Sequence, residues 1–166
     1  MSESSLRRAL LGVALLVGAL SGTRDILQPL SGLRVASGGA SAASAEQPRF
    51  ILVRSLEELD RQLAQAGGRP VMLDFYADWC ISCKEMERFT FTDPRVRSRM
   101  DRMLLLKADV TASTPEDLAL LKRFGLFGPP GTLFFGSGGE QLPNRVIGFQ
   151  DAERFAASLD AVLRAS

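Results

Sequence analysis

The 166-residue sequence contains no histidine. That absence excludes a Ser-His-Asp or Cys-His catalytic site and any zinc site that depends on imidazole. Cysteine is scarce too. Cys80 and Cys83 are the only two, so thiol chemistry is confined to one place and a monomer cannot gather four nitrogen or sulfur ligands around zinc. Neither sign of charge is in excess: 20 lysines and arginines against 19 aspartates and glutamates leave a net +1. Such a balance gives no general electrostatic reason to bind nucleic acid. What is present is ordinary, 46% hydrophobic and 23% charged, the proportions and length of one globular domain with a short appendage.

The composition shifts near residue 46. Upstream, Arg7, Arg8, Arg24 and Arg34 face only Glu3 and Asp25, and the remainder is mostly Ala, Gly, Ser and Leu. Ala9 to Leu20 is uncharged and apolar. The uncharged stretch from Ala9 to Thr23 makes roughly 22 Å of helix, short of the ~30 Å hydrocarbon core. It reads as a signal-peptide h-region or a truncated transmembrane helix. With Arg7-Arg8 before it, either form sends the downstream chain across a membrane; a buried helix of a soluble protein is the plainer alternative. Ala43-Ser44-Ala45 resembles a cleavage site but lies far from the apolar run, which favours a retained anchor. Residues 1–35 are thus expected to be an anchor and junction, 36–48 a small, polar, flexible linker, and 49–166 the folded domain, carried on the far side of the membrane.

The domain alternates strand and helix signals. Phe50 to Val53 reads as a short strand, and Ser55-Leu56-Glu57-Glu58 as a capping box opening a helix with Leu56, Leu59 and Leu63 on one face. Gly67-Gly68 ends it. Val71 to Ala77 is a nearly continuous apolar run, as expected of a strand buried on both faces. A helix is predicted over Ile81 to Phe89, and Asp93-Pro94 starts another. Met103 to Val110 is a second buried strand, and Thr114-Pro115 opens a helix bearing Leu118, Leu120 and Leu121. A hairpin pairs Thr132–Phe135 with Val146–Phe149. Asp151 caps a last helix with Phe155, Leu159 and Val162 inward. The order, βαβαβαββα, gives an α/β fold with a mixed sheet flanked by helices.

Cys80-Ile81-Ser82-Cys83 falls between a buried strand and a helix. A C-x-x-C beside a βαβ pattern is a thioredoxin-like redox motif. The spacing puts the second cysteine in the first helical turn, and the first at the helix N-terminus, where free N–H groups favour a thiolate. Cys80 is therefore the expected nucleophile, and Cys83 the thiol that resolves the mixed disulfide. A purely structural disulfide is the alternative, but so short a loop removes little chain entropy. Asp74, in the middle of an apolar strand six residues before Cys80, should be desolvated and raised in pKa, unless its side chain escapes to solvent at a strand edge. Glu87, at i+4 from Cys83, shares that helix face. It is either a second negative group disfavouring the thiolate or an ordinary exposed glutamate. Lys84 and Lys107 are read either as offsetting these charges or as surface residues. The prolines of Phe127-Gly128-Pro129-Pro130-Gly131-Thr132 form a rigid turn; in a thioredoxin-like fold a cis-proline here faces the C-x-x-C and offers backbone to a substrate chain.

Val71 to Lys84 (VMLDFYADWCISCK) resembles the active-site segment of the thioredoxin superfamily. The likeness is more specific to the C-terminal domains of the DsbD family of thiol:disulfide interchange proteins. It extends to Phe91-Thr92-Asp93-Pro94, Asp109-Val110-Thr111-Ala112, Ala119 to Lys122, Thr132 to Phe135 and Gly148 to Ala152, and upstream to Gly18–Gly22 and Arg24–Leu30. The resemblance implies a thioredoxin-like domain in the bacterial periplasm, tethered to the inner membrane through the N-terminal segment. It also implies a protein-disulfide reductase with no dissociable cofactor, the redox centre being the Cys80–Cys83 pair. The implied partners are a membrane-embedded thiol-disulfide electron donor and a periplasmic disulfide-containing acceptor. Asp74 and Glu87 match that family's acidic residues that tune the thiols; Pro130 matches its cis-proline, and Trp79, Pro130 and Gly131 fall in its substrate-facing loops. Gly131 replaces the threonine usual after the cis-proline, a change expected to loosen that loop. The 166 residues cover none of that family's membrane and N-terminal domains, so the chain is expected either to be a fragment or to rely on partners that supply them as separate proteins. Two other readings stand beside it: a stand-alone tethered thioredoxin for cytochrome c maturation or general clients, and a redox-inert binding module that kept the fold.

Overall fold

The computed structural model describes residues 47–166; the expected anchor and nearly all of the expected linker lie outside them. Strand β1 (Ile51–Leu52) is followed by helix α1 (Leu56–Ala64), strand β2 (Val71–Tyr76), and helix α2 (Ile81–Glu85) running into a π-helical turn (Met86–Thr90). Then come α3 (Pro94–Met100), β3 (Leu104–Asp109), α4 (Pro115–Arg123), β4 (Gly131–Phe135), β5 (Gln141–Ile147) and α5 (Ala152–Ala165). The sheet order is β1-β3-β2-β4-β5. The first three strands are parallel, and β4 and β5 join antiparallel. Among the described residues no helix is long and apolar enough to cross a membrane.

Strand alternation explains the two-sided core. Leu73 and Phe75 of β2 and Leu133 and Phe135 of β4 enter one apolar cluster with Leu59, Leu106, Leu120 and Phe124, and both cysteines belong to it. Met72 and Phe134 enter the opposite cluster with Met86, Phe91, Met100, Phe155, Leu159 and Val162. β2 is central, so its apolar run is needed on both faces.

The helix over Ile81–Phe89 is not a continuous α-helix. After Glu85 the backbone widens, and the Phe91 N–H donates to the Met86 carbonyl at 2.8 Å. The extra residue turns Met86 and Thr90 inward and leaves Phe89 in solvent. The Thr90 hydroxyl reaches the Gln150 carbonyl at 2.6 Å. Leu118 is exposed as well, because the inward stripe of α4 is Asp117, Leu120 and Leu121, at i, i+3 and i+4. At α1 the cap is Ser55, whose Oγ accepts from the Glu58 N–H, but Glu58 Oε2 accepts from the Arg54 N–H at 2.8 Å rather than from that of Ser55. The reciprocal capping box occurs instead at α4, between Thr114 and Asp117. The hairpin's second strand ends at Ile147, because Gly148 takes a φ of +82° that β-structure does not accommodate.

Candidate active site

Cys80 is the N-cap of α2, in extended backbone (φ −85°, ψ 101°), and Cys83 lies inside the helix. Their Cα atoms are 5.3 Å apart and their sulfurs are joined in a disulfide. In this closed form both residues are buried, Cys80 6% and Cys83 3% exposed, so exposure does not separate their roles. Hydrogen bonding does. Cys80 Sγ accepts from the Cys83 N–H at 3.2 Å, a contact that stabilises negative charge on that sulfur once the disulfide is reduced. Cys83 Sγ points instead at the sheet, 3.9 Å from the Phe75 carbonyl oxygen, where none of the described residues donates to it.

That contact sets Cys83 against β2 one residue from Asp74, and the strand register assembles a polar row there. Asp74 sits opposite Lys107 of β3 on one side and Thr132 of β4 on the other. The Asp74 side chain does not reach a strand edge: the residue is 4% exposed. Burial pushes its carboxyl up to about 7, and the nearby Glu87 adds to the rise. The Lys107 charge and the hydrogen bond that the Thr132 hydroxyl donates to Asp74 Oδ1, at 3.1 Å, pull the other way. Glu87 is half-buried on the inner side of the π-helical turn and forms an ion pair with Lys107. Lys107 Nζ also lies over the rings of Phe50 and Tyr76, 4.6 and 4.8 Å from their centres. Lys84 is exposed on α2. Of the two lysines, Lys107 is the one turned toward the carboxylates.

The Pro129–Pro130 peptide is cis. Gly131, next to it, pairs with Phe75 of β2, the residue whose carbonyl faces Cys83, so this turn and the disulfide occupy the same end of the sheet. Gly131 is not in a loosened loop. It is the first residue of β4, paired with Phe75 and Ile147, and a Cβ on it would come within 3.0 Å of Leu126. Trp79 is 59% exposed beside Cys80. Ile81, Phe127, Ile147 and Phe149 are also exposed, each within two residues of the C-x-x-C or at the ends of the segments flanking Pro130.

Two contributors escaped the sequence reading. Thr132 is a hydroxyl in an otherwise apolar strand, a signal that has meaning only once β4 is known to lie opposite Asp74. The Asp109–Thr111 segment, noted in the sequence only as part of the family resemblance, touches the segment before Cys80 from more than 30 residues away, a contact that no local pattern announces. Among the described residues no group of His, Cys, Asp and Glu could hold a metal ion.

Residues 58–163 match the family model described as a thioredoxin-like domain. The thiol:disulfide interchange protein DsbD of Ralstonia nicotianae is 57% identical over 157 residues, 93% of this chain and 26% of that protein. DsbD of Escherichia coli K12 is 48% identical over 111 residues, 66% of this chain and 20% of that protein. The chain thus spans between a fifth and about a quarter of the length of these curated relatives. Among solved structures, the oxidised C-terminal domain of Neisseria meningitidis DsbD is 44% identical with a TM-score of 0.55, covering 64% of this chain and 90% of that one. A Thermus thermophilus thioredoxin is 27% identical with a TM-score of 0.54, covering 69% and 87%.

Proposed function

Because the chain belongs to the thioredoxin-like family, and is similar to DsbD proteins and to a DsbD C-terminal domain, we propose that it is a protein-disulfide reductase working by dithiol–disulfide exchange at Cys80 and Cys83. The observation that carries this is the Cys80–Cys83 disulfide at a helix N-terminus, with its inner sulfur against a strand that buries a carboxyl near pKa 7.

In the reduced chain the Cys80 thiolate attacks one sulfur of a partner disulfide. A Cys80–partner bond forms, the partner's own S–S bond breaks, and the released partner thiolate takes up a proton. Cys83, as thiolate, then attacks Cys80 Sγ. The mixed disulfide breaks, the Cys80–Cys83 bond closes, and the second partner thiol leaves. The partner gains two electrons and two protons, and this chain loses them. Asp74 is the group suited to take the Cys83 proton, because a base that titrates near the working pH is the most effective. Glu87 acts on Asp74 and, through its ion pair, on Lys107. Trp79 and the cis Pro129–Pro130 turn form the surface against which the partner chain lies, with Gly131 held in β4 directly behind it.

The same reading puts the domain in the periplasm, held at the inner membrane by residues 1–35. There it receives electrons from a membrane-embedded dithiol and passes them to a periplasmic disulfide protein, in a relay that serves cytochrome c biogenesis. The names of its relatives support the thiol–disulfide interchange; the placement and the relay rest on the family resemblance of the sequence. The catalytic part is tested by insulin-disulfide reduction with dithiothreitol as electron source: the chain accelerates it and Cys80→Ser abolishes the acceleration. Acceleration that survives Cys80→Ser overturns the reading.

A further inference from the structure

The nucleophile sits at the end of a short turn, Ala77-Asp78-Trp79, whose exposed tryptophan is part of the proposed partner surface. Something has to hold that turn still. The Cys80 N–H donates back to the Ala77 carbonyl at 3.0 Å, which closes the turn without fixing it to the body of the domain. The fixing contacts come from the loop after β3. The Asp78 N–H donates to Thr111 Oγ1 at 2.9 Å, and the Trp79 indole Nε1–H donates to the Thr111 carbonyl at 3.3 Å. Thr111 is itself held, since its N–H and its hydroxyl both donate to Asp109 Oδ1, at 3.0 and 2.5 Å. On the other side the Tyr76 hydroxyl donates to Asp78 Oδ1 at 2.9 Å. Burial first, and then this bond to Asp78, push the Tyr76 phenol up to about 12 and keep it a donor.

We infer that Thr111 is a positioning residue for thiol exchange: its hydroxyl and carbonyl latch Asp78 and Trp79 so that Cys80 is presented in a fixed pose to a docking protein disulfide. The hydroxyl is used in both directions, accepting from Asp78 and donating to Asp109, so an isosteric valine removes both bonds while a serine keeps them. Alignment matters because exchange needs the attacking sulfur in line with the partner's S–S bond, and small misplacements near the reacting atoms cost large factors in rate. The proposal rests on the reductase reading and adds to it a residue that touches neither sulfur.

The chain has a single tryptophan, so its fluorescence reports this latch without reference to catalysis. In the full chain, Thr111→Val is expected to raise acrylamide quenching of Trp79 about twofold and to slow reduction of insulin disulfides about tenfold. Thr111→Ser is expected to restore both. Asp109→Ala, which frees Thr111 without touching Asp78 or Trp79, should move both readouts in the same direction as Thr111→Val; it also serves if the valine variant fails to fold. Wild-type quenching and wild-type rates in Thr111→Val or Asp109→Ala overturn the latch, as does a serine variant that rescues neither. If the wild-type chain itself does not reduce insulin, the reductase reading fails, and the quenching comparison still judges the latch.

Discussion

Asp74 is a carboxyl that the fold holds against its own preference. In the unfolded chain it titrates near the ordinary aspartate value of 3.8; folded, burial raises it to about 7. A carboxyl raised in this way favours the folded state only while it keeps its proton. As pH climbs from about 4 toward 7 the unfolded chain releases the proton and the folded chain retains it, so stability falls through that window and stays lower above it. A rise of this extent corresponds to at most on the order of 4 kcal/mol. Asp74→Asn, which can still accept from Thr132, is therefore expected to lose much of this pH slope and to be more stable than wild type at pH 8. Its second consequence is slower resolution by Cys83, whose proton has lost its acceptor. Denaturant unfolding at pH 4.5 and 8 measures the first; a wild-type slope in the variant contradicts it. Retaining so unfavourable a group is intelligible if it moves a proton. The sequence alone exposed Asp74, because a charged residue in an apolar strand stands out. It left Lys107 ambiguous, since one lysine in β3 carries no sign of facing a carboxylate on the neighbouring strand.

At the scale of elements, local chemistry was the most legible. Asp93, Thr114 and Asp151 each cap the next helix through a side-chain oxygen, and β1 to β4 lie where the apolar runs put them, whereas β5 begins at Gln141, ahead of the expected Val146, in a mostly polar segment. Thr114 makes the most complete cap, and it comes just after the loop that bears Thr111. Thr114→Ala is expected to cost about 1 kcal/mol, within the usual range for a lost N-cap. A shift in the thermal unfolding midpoint checks it, and an unchanged midpoint contradicts it. What escaped local reading depends on partners distant in the chain. The π-helical turn at Met86–Thr90 exists because Met86 and Thr90 both have inward neighbours, the latter the Gln150 carbonyl. No pattern within Ile81–Phe89 predicts the extra residue. The inward setting of Glu87 is likewise a result of that turn and of Lys107. The missing threonine after Pro130 reads as looseness in the sequence, yet Leu126 and Ile147 close around Gly131.

Over the whole domain, the absence of histidine acquires a physical meaning. In the proposed mechanism proton management beside the thiols falls to carboxyls, and the fold holds one raised to about 7 together with a lysine and a hydroxyl that lower it. The sheet brings residues 74, 107 and 132 into one row, and Cys83 and the Pro130 turn meet at Phe75, one residue further along β2. Everything at this end stems from asymmetry between two sulfurs, the outer one receiving a backbone N–H and the inner one facing the strand. The measurement that tests this most directly is covalent trapping. Reduced Cys83→Ala protein is mixed with intact, disulfide-bonded insulin and the adduct mapped by mass spectrometry, in parallel with Cys80→Ala. A stable mixed disulfide on Cys80 in the first variant, with little or none on Cys83 in the second, is the predicted result. Equal adducts on both cysteines, or none on Cys80, contradicts the account.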